Sequence, residues 1–256
     1  MKKILCFITI CIMLFSACAK KEEITTLETI RNRNLVITGV KQDAGIFGHL
    51  NKKGEYEGFD IDVAKYIAKK LTGSEKNIKF VPVTSNTRIE AVVSGEVDMV
   101  IATMSNTDSR RYIIDFSIPY YTAGQTAVVK NKSKIYTFAD LRNKTTIVVM
   151  GSTSEQNLRR VIPNARIVGY STYKEAFQAL KDGKGDAVST DDTIIAGFIA
   201  ENKEYRALKG RISTENYSVA IKKTEDKHLQ ETLNSIITEM KNDGTLKELK
   251  KKWSLI

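Results

Sequence analysis

Short apolar runs alternate with amphipathic helical stretches along this chain, and that alternation predicts an α/β fold. An internal echo divides the fold in two. The segment Ile89–Val100 (IEAVVSGEVDMV) lies over Phe177–Val188 (FQALKDGKGDAV) without gaps, matching Ala91 with Ala179, Gly95 with Gly183, Asp98 with Asp186 and Val100 with Val188. Each copy reads as a helix, a glycine stop and a strand, so two α/β lobes of similar construction are expected rather than one continuous sheet. Length agrees: about 240 residues remain after an N-terminal leader, enough for one large domain or two small ones.

The leader comes first. Lys2 and Lys3 form a positive n-region, Ile4 to Phe15 is apolar except for Thr9, and Ser16-Ala17-Cys18 supplies small residues ending on a cysteine. These are the parts of a secretory signal in order. The apolar run is too short for a permanent membrane-spanning helix, which needs about 20 residues. Cleavage before Cys18, with a lipid then carried on its sulfur, predicts an extracytoplasmic protein anchored to the cell membrane. The plainer alternative is an ordinary signal cut nearby, and Phe15 stands where bacterial lipoproteins more often carry Leu, Val or Ile. Cys6 and Cys11 fall inside the removed segment, which leaves Cys18 no partner, so the core must hold the fold without a disulfide. The net charge of +10 becomes +8 once Lys2 and Lys3 are removed. The basic residues are scattered, with mild clusters at Lys20-Lys21 and Lys250–Lys252 and no concentrated patch interleaved with aromatics, which argues against a nucleic-acid partner.

The polar stretch 18–34 reads as a tether. Leu35–Val40 reads as a strand. Asp60–Leu71 reads as a helix with Ile61, Ala64, Ile67, Ala68 and Leu71 on one face. Ile78–Val83 is a strand, Thr87–Ser94 a helix opened by Thr87 and Glu90 at capping-box spacing, Gly95 its stop, and Met99–Thr103 a buried strand. Ligands of open α/β sheets sit beyond the carboxyl ends of the strands. The first repeat delivers Ala102-Thr103-Met104-Ser105 to that edge and the second delivers Thr190-Asp191-Asp192. Hydroxyls and backbone N–H groups facing carboxylates suit a zwitterion.

Several segments together resemble family 3 of the bacterial solute-binding proteins, the polar amino-acid binders. Gly58-Phe-Asp-Ile-Asp-Val-Ala-Lys-Tyr-Ile-Ala-Lys-Lys-Leu71 is similar to that family's signature over its whole length. Asp98–Ser105, Asp115–Tyr121, Gly151-Ser-Thr-Ser-Glu155 and Gly185–Asp192 resemble its later landmarks, in order. The resemblance runs from about Leu35 to the C-terminus. It implies a two-lobed periplasmic-binding-protein fold of type II, each lobe a mixed sheet flanked by helices, joined by crossing strands near Tyr120–Thr126 and Asn216–Ile221. The implied division is 1–17 signal peptide, 18–34 tether, 35–121 and 218–256 first lobe, and 122–217 second lobe. The implied function is that of a monomeric binding protein without cofactor or metal that closes on an amino acid and delivers it to an ABC permease. Gly39-Val40-Lys41, Thr87-Arg88-Ile89, Ala123-Gly-Gln-Thr126 and Gly151–Ser154 are closest to the glutamate and aspartate binders. A neutral ligand such as glutamine is the alternative. One landmark departs: Thr107-Asp108-Ser109-Arg110 stands for a more usual Thr-Pro-Glu-Arg.

The resemblance assigns Arg110 to the ligand's α-carboxylate, for which a planar guanidinium offers two parallel hydrogen bonds. Without it, Arg110 and Arg111 are indistinguishable. Ser105 and the backbone around Thr103 are expected to complete that shell. Ser152 and Thr153 open a second-lobe helix, Ser152 and Glu155 being spaced as a capping box, and a helix start receives anions. Asp191 is assigned to the ligand's ammonium, with N-capping of the next helix as its competing use and Asp192 its rival. Arg88 and Lys41 are candidates for a second carboxylate. Arg110, Arg88 and Lys41 against Asp191 sum to +2, which suits two carboxylates and one ammonium. Phe47, Tyr120 and Tyr121 are wall or core. An enzyme on the same scaffold, akin to the dehydratases among that family's relatives, is the rival from another class. Of its two histidines, His228 reads as a surface-helix residue and His49 as a loop residue, and no cysteine nucleophile, metal cluster or phosphate loop appears. A sensor or adhesin is a further alternative.

Overall fold

A computed structural model of the chain describes residues 27–255. The leader, Cys18 and residues 19–26 lie outside the described residues, and the rest of the stretch expected as a tether instead forms a helix whose Ile30 is buried in the first core. The first lobe begins with α1 (Leu27–Arg33) and β1 (Val36–Val40), then a short hairpin of β2 (His49–Leu50) and β3 (Tyr56–Glu57). It continues through α2 (Phe59–Thr72), β4 (Ile78–Pro82), α3 (Arg88–Val93), β5 (Met99–Val100), α4 (Asp108–Arg111) and β6 (Ile114–Phe116). β7 (Tyr121–Ala123) leads out. The second lobe runs through β8 (Gln125–Lys130), β9 (Thr145–Val149), α5 (Ser154–Val161), β10 (Arg166–Tyr170), α6 (Tyr173–Lys181), β11 (Ala187–Asp191), α7 (Asp192–Glu201) and β12 (Tyr205–Ala207). β13 (Glu215–Tyr217) returns, followed by β14 (Ala220–Lys222), α8 (His228–Asn242) and α9 (Thr245–Lys252).

The two main sheets share one plan. In the first, of order β4-β1-β5-β14-β6, β1 runs parallel to β4 and β5, and β14 enters antiparallel. In the second, of order β10-β9-β11-β8-β12, β9 runs parallel to β10 and β11, and β8 enters antiparallel. Between them β7 and β13 pair antiparallel, with Tyr121 opposite Tyr217. The molecule is therefore two mixed α/β lobes joined by a two-stranded ribbon, and the chain re-enters the first sheet at β14.

The internal echo is physical. Gly95 and Gly183 both end their helices with positive φ, 79° and 74°, a conformation nearly free only to glycine. Three residues later, Asp98 Oδ2 accepts the Ile37 N–H at 2.7 Å, and Asp186 Oδ2 accepts the Thr145 N–H at 2.8 Å. Each aspartate secures the neighbouring parallel strand, which explains why the motif recurs. α2 forms as expected: Asp60 and Asp62 open it, Lys69 and Lys70 close it, and Gly73 caps it in the left-handed region. Its stripe of Ile61, Ala64, Ile67, Ala68 and Leu71 is buried, and the last four pack into the first core.

Three local expectations need correction. The strand expected over Met99–Thr103 stops at Val100, and Thr103 takes φ 46°. Thr87 makes no capping bond to α3, because its hydroxyl accepts the Thr84 N–H at 3.0 Å instead. His49 belongs to the β2–β3 hairpin rather than a loop, its Nδ1 lying 3.0 Å from the Gly45 carbonyl.

The lobes are closed on each other. Tyr173 N–H donates across the cleft to Asp43 Oδ2 at 2.8 Å, and Arg110 Nη2 donates to the Gly151 carbonyl at 2.8 Å. Gly151, φ 75°, leaves no room for a side chain: a Cβ there would lie 2.5 Å from the Ser85 carbonyl oxygen and 2.6 Å from Asn86 Cα.

Candidate ligand-binding site

The two sheets turn their strand ends toward the space between the lobes, where six ionisable side chains are buried: Lys41, Arg88 and Arg110 with Asp60, Asp191 and Glu215. From the first lobe, Thr103 is gripped on every polar atom. Its N–H donates to Asp60 Oδ2 at 2.7 Å, its hydroxyl accepts from Lys41 Nζ at 2.9 Å, and its carbonyl accepts from Arg88 Nη1 at 3.2 Å. Arg88 Nη1 also reaches the Ala102 carbonyl at 2.6 Å. A threonine at positive φ is strained by about 1–2 kcal/mol, and these bonds hold it there. Arg88 Nε has no hydrogen-bond partner among the described residues, although buried. Such an orphan donor fits a ligand oxygen.

Arg110 is positioned by α4, whose start is capped by the Thr107 hydroxyl. Its Nη1 donates to the Ser105 carbonyl at 2.8 Å, and its Nη2 crosses to Gly151. Arg111, left equivalent by the residues alone, is exposed. Burial, followed by the Arg88 charge, lowers the pKa of Arg110 to about 9, so it remains a cation at neutral pH. Lys41 lies 4.5 Å from the centre of the Tyr173 ring of the other lobe, with its Nζ 3.4 Å from that hydroxyl. Burial and then Arg88 lower the Lys41 pKa to about 7.

From the second lobe, Asp191 ends β11. It occupies the N-cap position of α7 without making the capping bond, and instead accepts a hydrogen bond from the Tyr217 hydroxyl. Asp192 accepts the Gly124 N–H and pairs with Arg211, so Asp191 is the carboxylate left facing the cleft. Burial, and then the Glu215 charge, raise its pKa to about 6. Glu215 accepts from the Thr153 hydroxyl at 2.9 Å and from Asn157 Nδ2 at 2.8 Å.

The expected residues thus converge, with two qualifications. Ser152 and Glu155 form no capping box: α5 starts at Ser154, Ser152 Oγ donates to the Val149 carbonyl at 2.6 Å, and Glu155 pairs with Arg159. The Thr153 hydroxyl is held between Gln125 Nε2 at 2.7 Å and Glu215, so any ligand contact there falls to backbone. Phe47 is core, stacked edge-on against Phe59, Tyr121 and Tyr217. Asp60, Glu215, Gln125, Asp43 and Tyr173 were not anticipated. The Gly58–Leu71 match pointed at Asp60, but an aspartate in the first turn of a helix reads as a dipole partner; nothing in sequence marks Glu215.

A model of bacterial extracellular solute-binding proteins, family 3, matches residues 36–255. The glutamine-binding protein GlnH of an ABC transporter in Bacillus subtilis is 41% identical over 237 residues, covering 92% of this chain and 86% of GlnH. A glutamine-binding protein of Geobacillus stearothermophilus is 42% identical over 212 residues, covering 82% of this chain and 81% of the relative. Among solved structures, a solute receptor for L-cysteine of Neisseria gonorrhoeae superposes with a TM-score of 0.85 at 30% identity, covering 89% of this chain and 93% of that one. With the family model matching nearly the whole of the described chain and both relatives above 40% identity, this chain belongs to the bacterial extracellular solute-binding proteins of family 3.

Proposed function

We propose that this protein captures a polar amino acid, glutamine in the first place, outside the cytoplasm and delivers it to the permease of an ABC importer. Arg110 takes the α-carboxylate, with Ser105 and the Thr103 backbone beside it, and Asp191 takes the ammonium. Each lobe holds part of the ligand, so binding favours the closed form and hinge motion at the β7–β13 ribbon follows. Cys18 carries the lipid that keeps the monomer at the membrane.

The observation that carries the choice of glutamine is the charge balance of the cleft. The sum of +2 expected from the sequence counted only Asp191 on the acidic side. Asp60 and Glu215 are buried in the same space, which makes three carboxylates against three cations. A zwitterion with a neutral side chain leaves that balance intact. A second ligand carboxylate would add an uncompensated buried charge, which is costly. Loss of the Lys41 proton, whose pKa is near 7, tilts the balance further against an anion. The names of the two glutamine-binding relatives agree with this reading. Glutamate is the second reading, favoured by Arg88, whose buried Nε remains free to meet a carboxylate oxygen.

Binding rather than turnover is the claim. Refolded, ligand-stripped protein incubated with glutamine and then denatured should return glutamine unaltered in mass; a new product would reopen the enzyme reading.

A further inference from the structure

The helix signature Gly58–Leu71 contributes one residue that enters the charge balance of the cleft but is assigned no contact with the ligand. Asp60 sits in the first turn of α2, 2% exposed, and its carboxylate is bonded directly to the strained Thr103. Its other oxygen accepts the Tyr120 hydroxyl at 2.8 Å. Thr103 in turn carries Lys41 on its hydroxyl and Arg88 on its carbonyl. One residue therefore links a buried carboxylate to two buried cations of the cleft. A helix signature needs only a polar first turn at this position, and Asp62 already supplies one, exposed enough to pair with Lys252 and the Trp253 indole. Nothing about α2 demands that Asp60 be buried.

We infer that Asp60 is a specificity-determining residue: by setting its charge against Lys41 and Arg88 through Thr103, it makes the first lobe accept a neutral amide and refuse a side-chain carboxylate. This rests on the glutamine reading and assigns its selectivity to one residue. Burial raises the Asp60 pKa to about 6, against the Thr103 and Tyr120 hydrogen bonds that lower it, so the group is mainly ionised at neutral pH. Without that charge, Lys41 and Arg88 face the cleft with a net positive field, and a dicarboxylic amino acid becomes the better partner. Asp60 is a positioning residue for the cations, since it reaches the ligand only through them and through Thr103.

The test compares dissociation constants for L-glutamine and L-glutamate at about pH 7.5 in the ligand-stripped chain and its variants. Asp60→Asn removes the charge at constant shape, and Asp60→Ser is the alternative if that variant folds poorly. Tyr120→Phe removes a hydrogen bond and keeps the charge. We expect either neutral variant to move the preference toward glutamate by about tenfold or more, as a nearby buried unit charge should. Tyr120→Phe should weaken both ligands alike, leaving the ratio within about twofold, and Asp60→Glu should restore the original preference. A folded neutral variant whose ratio is unchanged overturns the inference, as does an equal ratio shift in Tyr120→Phe, which would mean that packing rather than charge is at work. If the unsubstituted chain prefers glutamate, the glutamine reading fails, whereas the direction of the Asp60→Asn shift still tests Asp60 by itself.

Discussion

Gly151→Ala probes closure itself. The added Cβ would lie 2.5 Å from the Ser85 carbonyl oxygen, 2.6 Å from Asn86 Cα and 2.7 Å from Asn86 N. All three are backbone atoms of the opposite lobe, so no side chain can swing aside. The clash exists only in the closed form, whereas the cost of a non-glycine residue at φ 75°, about 1–2 kcal/mol, is present in open and closed forms alike and drops out of the binding equilibrium. Relieving the clash requires the lobes to separate locally, which strains the Arg110 Nη2 bond to the Gly151 carbonyl. Overpacking of this kind costs about 1–3 kcal/mol. Affinity should therefore fall by about 10- to 100-fold. Isothermal titration with glutamine gives the affinity, and small-angle scattering gives the ligand-induced compaction, which should shrink in parallel. A variant that binds within about twofold of the original and compacts fully would refute the closed geometry at Gly151.

Other outcomes follow from the same contacts. Arg110→Ala removes the proposed α-carboxylate clamp and leaves Glu215 and Asp191 less compensated, and titration should find the affinity for every amino acid reduced at least about 100-fold. Arg88→Met strips the donor from the Ala102 and Thr103 carbonyls, so melting temperature and affinities for glutamine and glutamate should fall together; a loss confined to glutamate would assign Arg88 to the ligand side chain instead. Protonation of Asp191, pKa about 6, neutralises the carboxylate proposed to accept the ammonium, so affinity should drop about tenfold per pH unit below 6. Ligand-free stability should move the opposite way. Asp60 and Asp191 are both raised from 3.8 to about 6, so the folded chain binds more protons than the unfolded chain between those values, and these two groups make stability rise as pH falls from 7 toward 4. Thermal melts with and without glutamine separate the two trends.

The fold was legible because hydrophobic period and punctuation act locally. The α2 stripe and the glycine stops at Gly95 and Gly183 follow from short-range pattern, whereas the strand-securing bonds of Asp98 and Asp186 reach Ile37 and Thr145, 61 and 41 positions away. In the cleft, the strand order points to residues 102–105 and to Asp191 at the end of β11, whereas the choice of Arg110 over Arg111 rests on the family resemblance. What escaped depends on tertiary contact. The end of β5 at Val100 is fixed by Asp60, Lys41 and Arg88 pulling on Thr103, residues 15 to 62 positions away in sequence. Thr87 and Ser152 have capping-box spacing, yet the Thr84 N–H and the Val149 carbonyl engage their hydroxyls. Glu215 resembles any surface glutamate until β13 pairs with β7 and carries it beneath Thr153. The charge count changed for that reason: both missing carboxylates are brought in by folding.

The most direct test is a competition titration of glutamine against glutamate in one ligand-stripped preparation near neutral pH. A charge-balanced cleft predicts that glutamine binds at least about tenfold more tightly, because the second carboxylate of glutamate would add a buried negative charge to a site that is already balanced. Tighter binding of glutamate would contradict the account and return Lys41 and Arg88 to the ligand's side chain.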